Sequence, residues 1–374
     1  LMTGLYVHIP FCVRKCLYCD FPSYGGISSY LDDYVEALCR EIRATSYIGE
    51  AADTVYFGGG TPSLLTARQG EKIMSALTDT FRIDADSEIT FEVNPDGIKS
   101  DYIRDLIKIG VNRISMGIQS FDDRLLQLLR RVHTSAEAFA ALEAVRTGGV
   151  TNVSADLIYG LPGQSPEDAE TDARILIELG VTHASAYSLI VEEGTMLKRL
   201  VRKGEILLPE DRVTEEAGER VCHTLEKGGL KRYEISAYAA EGFQSKHNLK
   251  YWQYEPYIGF GASSHSFDGT YRFSNIRSLP EYIKNAGKTS VLAEHELIGK
   301  ERGEEDFCFL GLRTMKGIDN ERFEQCFKRT VTDAFGTVIE DLVLRGFLEK
   351  TEWGYCLTSQ GLLYGNYVFS RFLR

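Results

Sequence analysis

Three cysteines stand close together near the start of the chain, Cys12, Cys16 and Cys19, in the spacing C-x3-C-x2-C. They follow a short apolar, β-leaning run at 5–9 that Pro10 interrupts, so they belong to a loop at a strand end. Three soft thiolates converging from one loop suit a soft metal or an iron–sulfur cluster. A disulfide framework fits poorly, because three is odd and nothing marks the chain as secreted. Structural zinc asks for four ligands, usually as two separated pairs. No fourth Cys or His follows at that spacing, and position 21 is Phe. Three ligands on a four-iron cluster leave one iron open to a substrate or cofactor. Of the other cysteines, Cys39 shares a helical face with Val35, Leu38 and Ile42, and Cys222, Cys308, Cys326 and Cys356 are singletons among apolar neighbours; all five read as core thiols.

What must position such a loop is the alternation around it. From residue 1 to about 190, strand-like and helix-like segments alternate, the pattern of parallel βα units. Predicted strands cover 5–9, 54–57, 88–92, 113–117, 153–158 and 183–189. Predicted helices cover 30–47, 67–81, 101–109, 122–130, 135–147 and 166–179. Six such units predict an α/β fold, a partial (β/α)6 barrel with its chemistry at the carboxyl ends of the strands.

Polar residues gather at those ends. The second strand runs into Gly58-Gly59-Gly60-Thr61, the third ends in Glu92 and Asn94, the fourth in Gln119, and the fifth holds Asp156. Each arrives at the end that carries the cysteine loop. Any one of them alone reads equally well as a cap or a turn residue; together they describe a site. The glycine run lets backbone approach a ligand, and it is not a P-loop, since no Gly-Lys-Ser/Thr follows.

Residues 191–300 change character. A polar stretch and a helix at 209–228 precede a strand-like run at 232–238. A segment rich in aromatics and histidine follows, with His247, Asn248, Tyr251 and Trp252 in the order His-Asn-x-x-Tyr-Trp. One helical turn gathers His247, Tyr251 and Trp252; an aromatic core with a satisfied histidine is the plain alternative. Residues 301–374 read as a separate small unit, mainly helical with a hairpin at 348–357, resembling a winged helix. It has no basic recognition helix, which argues against DNA binding.

The 374 residues carry 42 basic and 54 acidic side chains, a net charge of −12, which weighs against non-specific binding to nucleic acid or anionic lipid. No apolar run of about eighteen residues exists to span a membrane, and no signal pattern opens the chain. The expected location is the cytoplasm, with peripheral membrane association left open.

The cysteine spacing after a first strand resembles the cluster loop of the radical S-adenosylmethionine (radical SAM) superfamily. The longer string Tyr6-Val7-His8-Ile9-Pro10-Phe11-Cys12 is similar to a narrower group, the oxygen-independent coproporphyrinogen III oxidases and the HemW-type heme chaperones. The resemblance implies a [4Fe–4S] cluster on Cys12, Cys16 and Cys19. It also implies S-adenosylmethionine (SAM) contacts from Tyr6, Gly59, Gly60, Thr61, Glu92, Gln119, Arg131 and Asp156. Glu92 and Arg131 suit the ammonium and carboxylate of SAM, and Asp156 its ribose hydroxyls; Arg130 is the alternative to Arg131. On such a scaffold an electron from the cluster cleaves SAM to methionine and a 5′-deoxyadenosyl radical.

Two functions compete on that scaffold, decarboxylation of coproporphyrinogen III and heme delivery; mere electron transfer would not need the SAM-like strand ends. The oxidases carry a further cysteine two residues after the third, where this chain has Phe21, and an extension before the first strand, which here begins within five residues. The His-Asn-x-x-Tyr-Trp run matches the chaperone branch. The expectation is a heme chaperone, with His247 the leading iron ligand and His8 or His265 the alternatives. Its implied partners are heme-accepting target proteins and an electron donor such as a flavodoxin or ferredoxin. Oligomeric state, and whether SAM cleavage is productive, stay open.

Overall fold

The computed structural model describes residues 2–374. Twelve strands form one sheet: β1 (Thr3–Ile9), β2 (Ala51–Gly59), β3 (Arg82–Val93), β4 (Arg113–Gln119), β5 (Asn152–Tyr159), β6 (His183–Ser188), β7 (Lys231–Arg232), β8 (Ala237–Ala239), β9 (Tyr257–Phe260), β10 (His265–Phe267), β11 (Tyr271–Asn275) and β12 (Leu292–Leu297). Their order is β12-β11-β10-β9-β1-β2-β3-β4-β5-β6-β8-β7. Strands β1 to β6 run parallel, as the alternation predicts. A seventh parallel strand, β9, flanks β1 on its other side. Its sequence lies in a stretch whose aromatic content hides a two-residue period.

Side chains alternate along these strands. Leu5, Val7, Ile9, Val55, Phe57, Phe91, Ile114, Met116, Ala155 and Leu157 are buried in one apolar core with the helices outside the sheet. Those helices start where their caps demand. Thr66 with Gln69, Thr134 with Glu137, and Ser165 with Asp168 each form a reciprocal capping box. The alternate positions, Tyr56, Glu92, Arg113, Ser115, Ser154, Asp156, His183 and Ser185, face one shared cavity on the inner side. The sheet is therefore curved around a polar interior, as a partial barrel.

Residues 191–300 extend the same sheet at both edges. The run at 232–238 is a hairpin of β7 and β8 rather than one strand, and β8 pairs antiparallel with β6. A helix, Met196–Arg202, forms within the polar stretch that precedes the 209–228 helix; Thr195 caps it. Strands β10 to β12 continue antiparallel from β9.

The last part has its own apolar core, from Phe307 to Phe372, and a three-stranded sheet of Ile318–Asp319, Gly354–Leu357 and Leu348–Lys350. After the hairpin, two short helices, Ser359–Leu363 and Gly365–Ser370, meet at Tyr364. Among the described residues, no helix is long and apolar enough to cross a membrane.

Candidate functional site

The cysteine loop leaves β1 at Pro10 and is pinned at both ends. Residues Phe11–Cys12 pair parallel with Tyr24–Gly25, and Tyr24 N–H donates to the Pro10 carbonyl at 2.7 Å. Midway, Leu17 N–H donates to the Leu129 carbonyl (3.1 Å), while the Leu17 carbonyl accepts from Leu197 N–H (2.9 Å). Cys12, Cys16 and Cys19 are free thiols, partly exposed, and all three face a cavity of about 440 Å³. Burial raises the Cys19 thiol above its ordinary range, and the neighbouring Cys16 and Cys12 thiols push it the same way. Among the described residues, no three of His, Cys, Asp or Glu converge on one ion's position. A cluster, whose thiolates bind separate iron atoms, asks only that they share a cavity.

The same cavity is lined by Gly59, Gly60, Thr61, Glu92, Gln119, Arg131 and Asp156. The glycine turn packs against the end of β1. A Cβ on Gly60 would stand 2.6 Å from the Phe11 carbonyl oxygen and 2.9 Å from that of Ile9; Gly59 has φ +114°. Glu92 accepts hydrogen bonds from Tyr56 Oη (2.7 Å) and Gly59 N–H (3.2 Å). Burial nonetheless pushes its carboxyl up to about 7. Burial also raises Asp156, to about 6, against the pull of Ser185 and of the Arg113 and Arg131 cations. Gln119 reaches the cavity through a bulge between Gly117 and Gln119 in the β4–β5 ladder, and its φ is +72°.

Arg131, not Arg130, turns inward. Its guanidinium donates to Asn94 Oδ1 (2.9 Å), the Gly117 carbonyl (2.7 Å) and Cys16 Sγ (3.3 Å), while Arg130 is exposed. Arg131 Nε is buried without an acceptor, a donor in want of an anionic group. Asn94 belongs with this set. It links Arg131 to Thr61, and its N–H donates to Ser63 Oγ (3.1 Å). Its place at the end of β3, two residues past Glu92, was the available signal. Tyr56 lies two residues before the glycine turn, so its inward direction follows from strand periodicity.

These residues fit the cluster that the cysteine spacing suits and the SAM that the resemblance implies. Three thiols share one cavity, a glycine cradle leaves no room for a Cβ, two buried carboxyls line the same space, and one guanidinium nitrogen of Arg131 is buried there without an acceptor.

Two expected site residues lie elsewhere. Tyr6 faces the barrel interior, its hydroxyl bonded to His8 Nδ1 at 2.9 Å, and lines a second chamber rather than the cysteine cavity. His247 is 0% exposed. It sits on the helix Lys246–Trp252, whose first N–H groups donate to the buried Glu88 carboxylate at 3.1 and 3.0 Å. One ring nitrogen is bonded to Thr54 Oγ1 and the other to Tyr251 Oη, both at 2.8 Å. Burial lowers its pKa to about 3. In this conformation no nitrogen of His247 is available to iron, contrary to its expected role as a heme ligand. The sequence pattern shows a histidine near aromatics; it does not show that Thr54 and Tyr251 occupy both sides of the ring.

Residues 6–176 match the radical SAM superfamily, and residues 300–364 match the HemN C-terminal domain. The chain is 38% identical to the heme chaperone HemW of Bacillus subtilis, over 100% of this chain and 99% of that protein. It is 32% identical to the mouse mitochondrial radical S-adenosyl methionine domain-containing protein 1, over 96% of this chain and 85% of that protein. Among solved structures, coproporphyrinogen III oxidase (HemN) from Escherichia coli superposes with a TM-score of 0.85 at 25% identity, covering 99% of this chain and 90% of that one.

Proposed function

Because the chain belongs to the HemW family of the radical SAM superfamily, we propose that it is a heme chaperone that binds a [4Fe–4S] cluster, SAM and heme and passes heme to target proteins. When bound, cluster and SAM together supply reductive cleavage of a sulfonium carbon–sulfur bond. The chain's own residues hold and orient these groups. Cys12, Cys16 and Cys19 would ligate the cluster and leave one iron without a protein thiolate. Glu92 would accept from the SAM amine, Arg131 Nε would donate to its carboxylate, and Asp156 would bind ribose hydroxyls. Gly59 and Gly60 let backbone come close. A partner electron donor of flavodoxin or ferredoxin type belongs to this reading.

One observation carries the choice of chaperone over oxidase: position 21. The oxidases keep a cysteine there, but here Phe21 extends from the cluster loop, 62% exposed, and lines both the cysteine cavity and the chamber beside it. A benzyl group presents an apolar face to a flat ligand and supplies no sulfur.

The test is anaerobic. Reconstituted protein is titrated with heme, and separately incubated with coproporphyrinogen III, reductant and SAM. Heme uptake with no decarboxylation above a protein-free control supports the reading. Substrate-dependent decarboxylation returns the oxidase to first place, and absence of heme uptake rejects the chaperone.

A further inference from the structure

Beside the cysteine cavity lies a second chamber of about 520 Å³, within the usual range of cofactor pockets, about 300–1,000 Å³. It is bounded by the inner side of β1 and β9, by β10, and by the helix Lys300–Gly311 of the C-terminal core. Its walls are aromatic: Tyr251, Trp252, Tyr254, Tyr257, Phe267 and Phe309. Tyr254 and Phe267 have ring centroids 4.6 Å apart, as do Tyr251 and Tyr257. Flat rings set around a gap suit a flat conjugated ligand.

Three polar features complete it. Of the two histidines on the wall, His8 has both nitrogens engaged, by Tyr6 Oη and the Pro22 carbonyl, each at 2.9 Å. His265 is exposed, and among the described residues its ring has no hydrogen-bond partner. Ser263 Oγ and the Trp252 indole N–H, on the same wall, are buried and unpaired. Arg272 and Arg302 both reach the one buried carboxylate of Asp306, at 3.1 and 3.3 Å. Glu255, the other acid on the wall, is already paired with Lys250 (3.1 Å) and Arg322 (2.9 Å). Two guanidiniums on one carboxylate leave a positive charge for an anionic substituent.

Resting on the chaperone reading, we infer that heme binds in this second chamber, with His265 as the protein ligand to iron and Arg272 and Arg302 toward a propionate. Phe21, shared by both chambers, then stands between heme and the cluster loop. His247 shapes the chamber from behind by holding Tyr251 through its hydroxyl.

The experiment uses the full chain with its cluster reconstituted under anaerobic conditions. Heme and, separately, iron-free protoporphyrin IX are titrated into wild type and His265→Ala, with the Soret band followed; His265 is exposed, so the variant should fold, and circular dichroism checks it. The expected result is heme affinity reduced roughly tenfold or more in the variant, a shifted Soret band restored by free imidazole, and unchanged protoporphyrin binding. An unaltered heme band and affinity in His265→Ala would overturn this site while leaving the chaperone reading standing. Equal loss of heme and protoporphyrin would overturn the ligand role too, marking His265 as a wall residue. If wild type takes up no heme, the chaperone reading falls and this inference falls with it.

Discussion

At Glu92 folding and binding pull in opposite directions. Its carboxyl is ordinary in the unfolded chain, near 4.5, and about 7 in the fold, mainly through burial. Between those values the folded state holds the extra proton, so this group's contribution to stability falls as pH rises from about 4.5 to about 7 and is then flat. Glu92→Gln removes the titration. In the cluster-free protein it should raise the unfolding free energy at pH 8, read from denaturant unfolding, by on the order of 3 kcal/mol, with the gain vanishing toward pH 4.5. The same change should weaken SAM binding roughly ten- to a hundredfold, through loss of a charge-assisted hydrogen bond. A gain independent of pH would show that Glu92 is not the titrating group. The cysteines give a separate expectation: iron and brown absorbance vanish when Cys12, Cys16 and Cys19 are all serine. Cys39→Ser keeps both, because that thiol is buried on a helix and points to the Lys72 carbonyl.

At the scale of elements, the turn after β2 and the helix Lys246–Trp252 do different work. Gly60 is pressed on backbone oxygens, which cannot swing aside. Gly60→Ala should destabilise by about 1–3 kcal/mol and lower iron content after reconstitution, because the end of β1 carries the cysteine loop. Gly336→Ala is the contrast: its Cβ meets nothing within 4 Å and it lies in a helix, so thermal melting should show no loss. His247 joins the helix to β2 through Thr54. His247→Ala would leave two hydroxyls unpaired and a void, at a cost of about 2–4 kcal/mol measurable by denaturant unfolding. Near-wild-type stability in that variant would mean the buried ring is not holding the helix.

Across the whole molecule, two apolar cores meet along polar seams. Backbone bonds join them at Ile235 N–H to the Arg313 carbonyl (2.9 Å) and Met315 N–H to the Tyr233 carbonyl (3.0 Å). Side chains join them at Arg272–Asp306 and Arg322–Glu255. Asp306 is 2% exposed, so Arg272→Ala leaves a buried carboxylate with only Arg302. Breaking a buried pair costs about 3–5 kcal/mol when nothing replaces it, and the second arginine should reduce that to roughly 1–3. Limited proteolysis near 299–300 should quicken in the variant. Unchanged cleavage would mean that the seam is held by its backbone bonds alone.

What the chain announces by itself is local and periodic. Pro10 after an apolar run puts Cys12, Cys16 and Cys19 on a strand-end loop, and alternating βα segments lead to a parallel sheet. Polar residues at strand ends, Glu92, Gln119 and Asp156 among them, mark the end of the barrel where chemistry gathers. These signals survive because spacing along a strand fixes which side a residue faces. Contacts between distant segments are not written in any spacing. Strand β9 beside β1, Thr54 and Tyr251 on either side of His247, and Arg131 rather than Arg130 in the cavity were decided only when segments far apart in the chain packed together. Burial then set the protonation of Glu92 and His247, since the cost of charging a group depends on what surrounds it in three dimensions.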